Sequence, residues 1–188
     1  MDINDEIQKS IDILNKGGLL LYPTDTVWGI GCDATNEEAV KKVYKLKRRE
    51  DSKALICLVS DTRMLQRYVY DVPEVAYDII EYSTRPTTII YDKPINMAKN
   101  LIAKDDTVGI RVASDEFCQK LIRKFKRPLV STSANLSGTP TPKSFREIGS
   151  EILKGVDYVV NLQLEKSNSQ PSSIIKISND AVVKIIRK

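Results

Sequence analysis

Apolar patterning switches repeatedly between a helical period and short apolar runs along the 188 residues, and this alternation constrains the fold more than any other feature. Such a pattern belongs to α/β folds in which helices pack on a sheet. Asn4 is expected to cap a first helix with Ile7, Ile11 and Leu14 on one face, ended by Gly17 and Gly18. Leu19 to Tyr22 reads as a strand stopped by Pro23, and TDTVWGIG as the loop at its end. Thr35 and Glu38 have capping-box spacing before a helix that carries Ala39, Val43 and Leu46 and ends in KLKRRED.

Beyond it, Ala54 to Val59 reads as a buried strand and Met64 to Tyr82 as two short helices separated by Pro73. STRP then leads into a strand from Thr87 to Tyr91. Further strands are expected at Thr107 to Val112, Leu129 to Thr132, Tyr158 to Val160, Ser173 to Ile177 and Val182 to Ile186. Helices are expected at Asp115 to Lys124 and Ser144 to Leu153, and a mobile loop at Glu165 to Pro171. With no linker or repeat, the expectation is one domain over 1–188.

Composition excludes more than it selects. No run approaches the roughly 18 apolar residues of a membrane span, and MDINDEIQKS lacks the basic start and apolar middle of a secretory signal, so a cytoplasmic location is expected. Histidine is absent, which removes Ser-His-Asp and Cys-His catalysis and any His-based zinc site. Cys32, Cys57 and Cys118 form no CxxC pair and read as buried thiols. Neither GxxxxGK[ST] nor GxGxxG occurs, so a P-loop or Rossmann nucleotide site is not expected. The net charge of +4 suits an anionic ligand such as ATP or RNA, as it suits many ordinary proteins.

Three segments carry chemistry. YKLKRREDSK crowds Lys45, Lys47, Arg48, Arg49 and Lys53 at a helix end: either a solvated C-terminus favoured by the helix dipole, or a polyphosphate site. PLVSTSANLSG sets Ser131, Thr132, Ser133, Asn135 and Ser137 after a strand, as a plain turn or as a cluster of donors for a ligand. LYPTDTVWGIG places Thr24, Asp25 and Thr26 before Trp28, which reads as core or rim.

Together these segments resemble the threonylcarbamoyl-AMP synthase family, or YrdC-like domain, in its single-domain form. The resemblance runs from KGGLLLYPTDTVWGIG through KLKRRE, TVGIRV and STSANLSG to PSSIIKI and VVKIIR. The family's KxR and SxN elements correspond to Lys47 with Arg49 and Ser133 with Asn135; a sister branch of the fold lacks these intact pairs.

The resemblance implies a single-domain α/β fold: a twisted, largely open mixed sheet with flanking helices and a basic concave cavity. It implies synthesis of threonylcarbamoyl-AMP and pyrophosphate from ATP, L-threonine and bicarbonate, the first step of tRNA threonylcarbamoyladenosine modification. Thr26, Arg111, Ser131 and Ser172 would hold threonine. Lys47, Arg49, Lys53, Thr107, Ser133, Asn135, Thr141 and Arg187 would line the ATP site, with Lys47 and Arg49 catalytic. Mg2+ would ride on the phosphates, with no dedicated protein metal site.

A threonylcarbamoyl transferase complex acting on tRNA would take over the product. The alternative is an RNA-binding module of the same fold, contacting tRNA or double-stranded RNA directly. Two departures from the family pattern stand out. Glu50 replaces a proline, and Arg85 replaces a glycine in STRP, where a side chain would disfavour positive φ.

Overall fold

In the computed structural model, residues 2–49, 55–165, 167 and 170–188 are described. Among them are six α-helices: α1 (Ile3–Asn15), α2 (Glu37–Lys47), α3 (Thr62–Leu65), α4 (Glu74–Tyr82), α5 (Glu116–Phe125) and α6 (Ser150–Gly155). The strands are β1 (Leu20–Tyr22), β2 (Gly29–Gly31), β3 (Ile56–Val59), β4 (Thr87–Asp92), β5 (Thr107–Val112), β6 (Leu129–Ser133), β7 (Tyr158–Val159), β8 (Ser173–Ile177) and β9 (Val183–Arg187). They form one mixed sheet in the order β7-β1-β2-β6-β3-β5-β4-β8-β9.

The local chemistry explains most boundaries. α1 buries Ile7, Ile11 and Leu14 as its period requires, but its cap is Asp2, whose side chain accepts from Asn4 N. Gly17, at φ 68°, and Gly18 close the helix by donating to Leu14 O and Ile13 O, each at 3.0 Å. The cap of α2 is Asn36, not Thr35: Asn36 accepts from Glu38 N and Ala39 N, while Thr35 donates its hydroxyl to Asp33.

Part of the expected TDTVWGIG loop is strand β2, antiparallel to β1. Its glycine at 31 is required by packing, since a Cβ there would meet Tyr22 Cε1 at 2.6 Å. The tyrosine itself is buried and donates to Val130 O at 3.0 Å. The helix expected over Ser144 to Leu153 is divided into a 3-10 turn at Phe145–Glu147 and α6, because Gly149 between them is extended.

Register decides which face becomes a site. Gly29 pairs with Ser133, Ser131 with Ile56, Ile56 with Gly109, and Gly109 with Ile90. Thr88 then pairs with Ile174 and Ile174 with Arg187. Because side chains alternate with period two, Gly29, Ser131, Ser133, Ile56, Gly109, Arg111, Thr88, Ile174 and Arg187 share one face. The opposite face carries Ile30, Val130, Cys57, Ile110 and Ile89, all buried, and α3 and α5 pack against β3.

Candidate active site

A cavity of about 250 Å³ opens on the polar face. Its walls come from Thr26, Val27, Gly29, Arg49, Leu55, Ile56, Arg111, Ser131, Thr132, Ser133, Thr141, Pro171, Ser172, Ile174 and Arg187. Eight of the twelve residues expected from the sequence therefore meet here: Thr26, Arg49, Arg111, Ser131, Ser133, Thr141, Ser172 and Arg187. Three of the eight are arginines, and among the described residues no carboxylate lines the cavity.

The turn after β1 builds one end. Thr24 Oγ1 donates to Val27 O at 2.7 Å and accepts from Thr26 N at 3.0 Å, which presents the Thr26 hydroxyl to the cavity. That hydroxyl accepts from Arg111 Nη1 at 3.2 Å. Arg111 rises from β5 with only 2% of its side chain exposed, and its Nη2 stands 2.8 Å from Asp25 Oδ1. Oδ2 of Asp25 accepts from Ser114 N and Ser114 Oγ at 3.2 and 2.8 Å. The sequence had singled out Asp25 only as part of a turn; its signal was a carboxylate beside Thr26 in a chain that needed a counter-ion for Arg111.

The far wall is held by short polar links. Ser172 Oγ and Thr88 Oγ1 share a hydrogen bond of 2.8 Å, and Arg187 donates Nε and Nη2 to Ser172 O at 3.1 and 2.7 Å. Burial lowers the pKa of Arg187, and the charge of Arg111 lowers it further. Burial also lowers that of Arg49, against an opposing effect of Tyr44. Guanidinium nevertheless stays charged in a protein, so an anion entering here meets three cationic side chains. A neighbouring cleft of about 370 Å³ shares Thr26 and Pro171 and reaches Asp25, Arg85, Ser167 and Gln170.

Three described residues expected at the site do not line this cavity. Lys47 was expected at a solvated helix end; instead its side chain is 1% exposed and its ammonium donates to the main-chain carbonyls of Ser133 and Asn135, the latter at 2.6 Å. Asn135 spends its amide on Leu136 O and Thr139 O, at 2.9 and 2.7 Å, and so shapes its own loop. Thr107 donates to Asp105 Oδ1 at 2.7 Å and lies four residues from Arg111, about 13 Å along β5. Lys53, like Glu50, lies outside the described residues.

Two smaller expectations also resolve. Arg85 is not among the residues with positive φ, so STRP does not need the family's glycine there. Trp28 is 3% exposed and packs against Phe145 in a tilted ring pair, centroids 5.0 Å apart, so it is core. No helix among the described residues is long and apolar enough to cross a membrane.

Comparison with known proteins identifies the family of the chain. A Methanocaldococcus jannaschii protein provisionally named threonylcarbamoyl-AMP synthase is 39% identical over 98% of this chain and 88% of its own length. The threonylcarbamoyl-AMP synthase of Pseudoalteromonas translucida is 36% identical over 94% of this chain and 95% of its own. Among solved structures, Sua5 of P. abyssi complexed with L-threonine superposes with a TM-score of 0.80 at 26% identity. It covers 90% of this chain, and this chain spans half the length of that protein. The family profile Sua5_yciO_yrdC, described as telomere recombination, matches residues 12–188, and the chain belongs to that family.

Proposed function

We propose that this chain is a threonylcarbamoyl-AMP synthase supplying the first step of tRNA threonylcarbamoyladenosine modification in the cytoplasm. The observation that carries this reading is the convergence of Arg49, Arg111 and Arg187 with Thr26, Ser131, Ser133 and Ser172 around one cavity. The names of the two curated relatives, and the threonine bound by P. abyssi Sua5, support the same activity.

In this reading Arg111 takes the threonine carboxylate by its planar fork, and Thr26, Ser131 and Ser172 orient the rest of the amino acid. The amine, once it has lost a proton, attacks bicarbonate to give the carbamate and release water. A carbamate oxygen then bonds to the α-phosphorus of ATP as the bond to pyrophosphate breaks. Arg49, Arg187, Ser133 and Thr141 face the nucleotide, with Lys53 an added cation, and stabilise charge moving onto pyrophosphate.

Lys47 and Asn135 act from behind the wall by fixing the loop after β6, and Thr107 keeps the start of β5 in place. Magnesium would enter on the triphosphate and offset its charge. Holding the reactants together contributes several kcal/mol by itself. The product would pass to a threonylcarbamoyl transferase complex acting on tRNA. The RNA-binding alternative fits less well, because a nucleic-acid backbone cannot reach a guanidinium as buried as that of Arg111.

The test is release of pyrophosphate together with an AMP adduct by the purified protein. Both are expected only when ATP, magnesium, bicarbonate and L-threonine are all present. Equal release without threonine would overturn the synthase reading. Serine should be used roughly 10- to 200-fold less efficiently, the range for one methyl group in a pocket.

A further inference from the structure

We propose that β9 is a docking edge for another protein, which adds to the sheet an extended segment alternating acidic and apolar side chains. This role is independent of the catalytic reading. β9 is the last strand of the sheet order, paired with β8 on one side and with no strand of the described residues on the other. An unpaired edge presents a row of main-chain donors and acceptors that another strand can use. The opposite edge is managed differently: β7 has two residues, and Tyr158 donates its hydroxyl to Glu6 Oε2 at 2.8 Å.

Apolar surface gathers at the open edge. Every residue of β9 is exposed, and of the six large apolar side chains exposed among the described residues, four are Val182, Val183, Ile185 and Ile186. A fifth, Tyr82 at the end of α4, lines a cleft of about 420 Å³ with Ile79, Ile175 and Ile185. The helix layer thus leaves the last strand uncovered, and contiguous exposed apolar surface of this kind marks an interaction site.

The side chains of β9 sort by face. Val183 pairs with Ile177 and Ile185 with Ile175, on the face that helices cover elsewhere, whereas Lys184 pairs with Lys176 and Arg187 with Ile174, on the cavity face. Three positions separate Lys184 from Arg187, which in a regular strand would put them on opposite faces. The register shift between Ile174 and Ile175 brings them to the same one. Lys176 has Asp105 at 2.9 Å, but Lys184 opposite it has no ion-pair partner among the described residues. Like charges facing each other weaken a strand pair, and a carboxylate arriving from the open side would offset them.

This pattern selects the occupant. Antiparallel pairing of two β9 edges would gather the cations of both copies on one face, which disfavours a second copy of the chain. An acidic and apolar strand meets both faces at once, its carboxylates beside Lys184 and its apolar side chains beside Val183, Ile185 and Tyr82. Main-chain bonds then supply affinity and the alternating side chains supply selection.

The test is fluorescence anisotropy of the whole chain with a short labelled peptide of alternating glutamate and valine. Counterparts with lysine for glutamate, or serine for valine, should bind about tenfold more weakly or worse. Lys184→Glu, a change at an exposed side chain, should reverse the order of the glutamate and lysine peptides while the thermal melt is retained. Lys184→Gln removes the charge without reversing it and should cost the glutamate peptide about threefold, which decides the matter if the reversed variant fails to fold.

A glutamate peptide with prolines at its centre cannot extend a ladder and should not bind. Equal binding of that peptide would show charge attraction without strand pairing and overturn the proposal. Affinity unchanged by either substitution, or no binding up to about 1 mM peptide, overturns it as well. So does a dimer of the free chain that Ile185→Thr dissolves, since the edge would then belong to a second copy.

Discussion

The ammonium of Lys47 lies 2.6 Å from the main-chain carbonyl of Asn135, a residue 88 positions further along the chain. The contact is one of a set, since the same ammonium also donates to Ser133 O and Ser137 N donates to Lys47 O at 2.9 Å. The KxR and SxN elements are therefore hydrogen-bonded to each other, and the end of α2 sets the path of the loop after β6. Arg49 reaches the cavity from the same helix end, so the loop and the cation are positioned together.

Lys47→Ala should lower unfolding free energy by about 2–4 kcal/mol in denaturant titration. It removes two charge-assisted hydrogen bonds from the part-buried carbonyls of Ser133 and Asn135, the first of which also accepts from Asn135 N at 2.9 Å. Lys45→Ala, two residues away, exposed and in none of these contacts, should change it by less than about 0.5 kcal/mol. Equal, small effects in both variants would mean that the Lys47 ammonium is in solvent.

The pH dependence of stability provides a second reading of Lys47. Burial, with help from the charge of Arg49, lowers its pKa to about 8. The unfolded chain then binds the extra proton between about pH 8 and the ordinary lysine value near 10.4, so Lys47's contribution to stability rises with pH across that window. Below pH 8 both states are protonated and the contribution is flat. Denaturant midpoints of wild type and Lys47→Met, compared from pH 7 to 10, should diverge in favour of wild type as pH rises. A constant difference would show that the lysine pKa is not shifted.

Some of this was legible in the sequence and some was not, for reasons that differ by residue. β5 and β8 run over the expected residues because TVGIRV and SIIKI are unbroken β-forming runs between turn signals. β2 was hidden because GIG has almost no side chain to show alternation; its glycines answer to Tyr22 and Ser131, which are distant in sequence or buried. The cavity arginines came from the family resemblance, since spacing alone cannot say that Arg49, Arg111 and Arg187 converge. Burial of Lys47 left no trace, because its acceptors are main-chain carbonyls, which every residue has.

Arg111→Lys is expected to weaken threonine by about 10- to 100-fold, the value of losing a fork-shaped, charge-assisted pair of hydrogen bonds. ATP affinity should stay within about threefold. Lysine is preferable to alanine here because it leaves Asp25 with a cation, whereas alanine would leave a buried carboxylate unpaired and endanger the fold. Calorimetry with each ligand separates the outcomes, and loss of ATP binding with normal threonine binding would reassign Arg111 to the nucleotide.

Arg49 provides the last prediction, since it is the member of the KxR element that lines the cavity. Its guanidinium would face the phosphates while charge moves onto pyrophosphate, so Arg49→Ala should lower the catalytic rate by about 100- to 1,000-fold, as for loss of one preorganised donor. Arg49→Lys keeps the charge but not the planar fork, and should remain well below wild type if two donors act together. Arg48→Ala is the matched control. Arg48 is adjacent, exposed, and engaged with Glu151 at 2.8 Å away from the cavity, so its removal should leave turnover near normal. Adduct formation measured beside a thermal melt distinguishes chemistry from stability. Full activity in Arg49→Ala with an unchanged melt would take this guanidinium out of the mechanism and return it to the surface of the helix end.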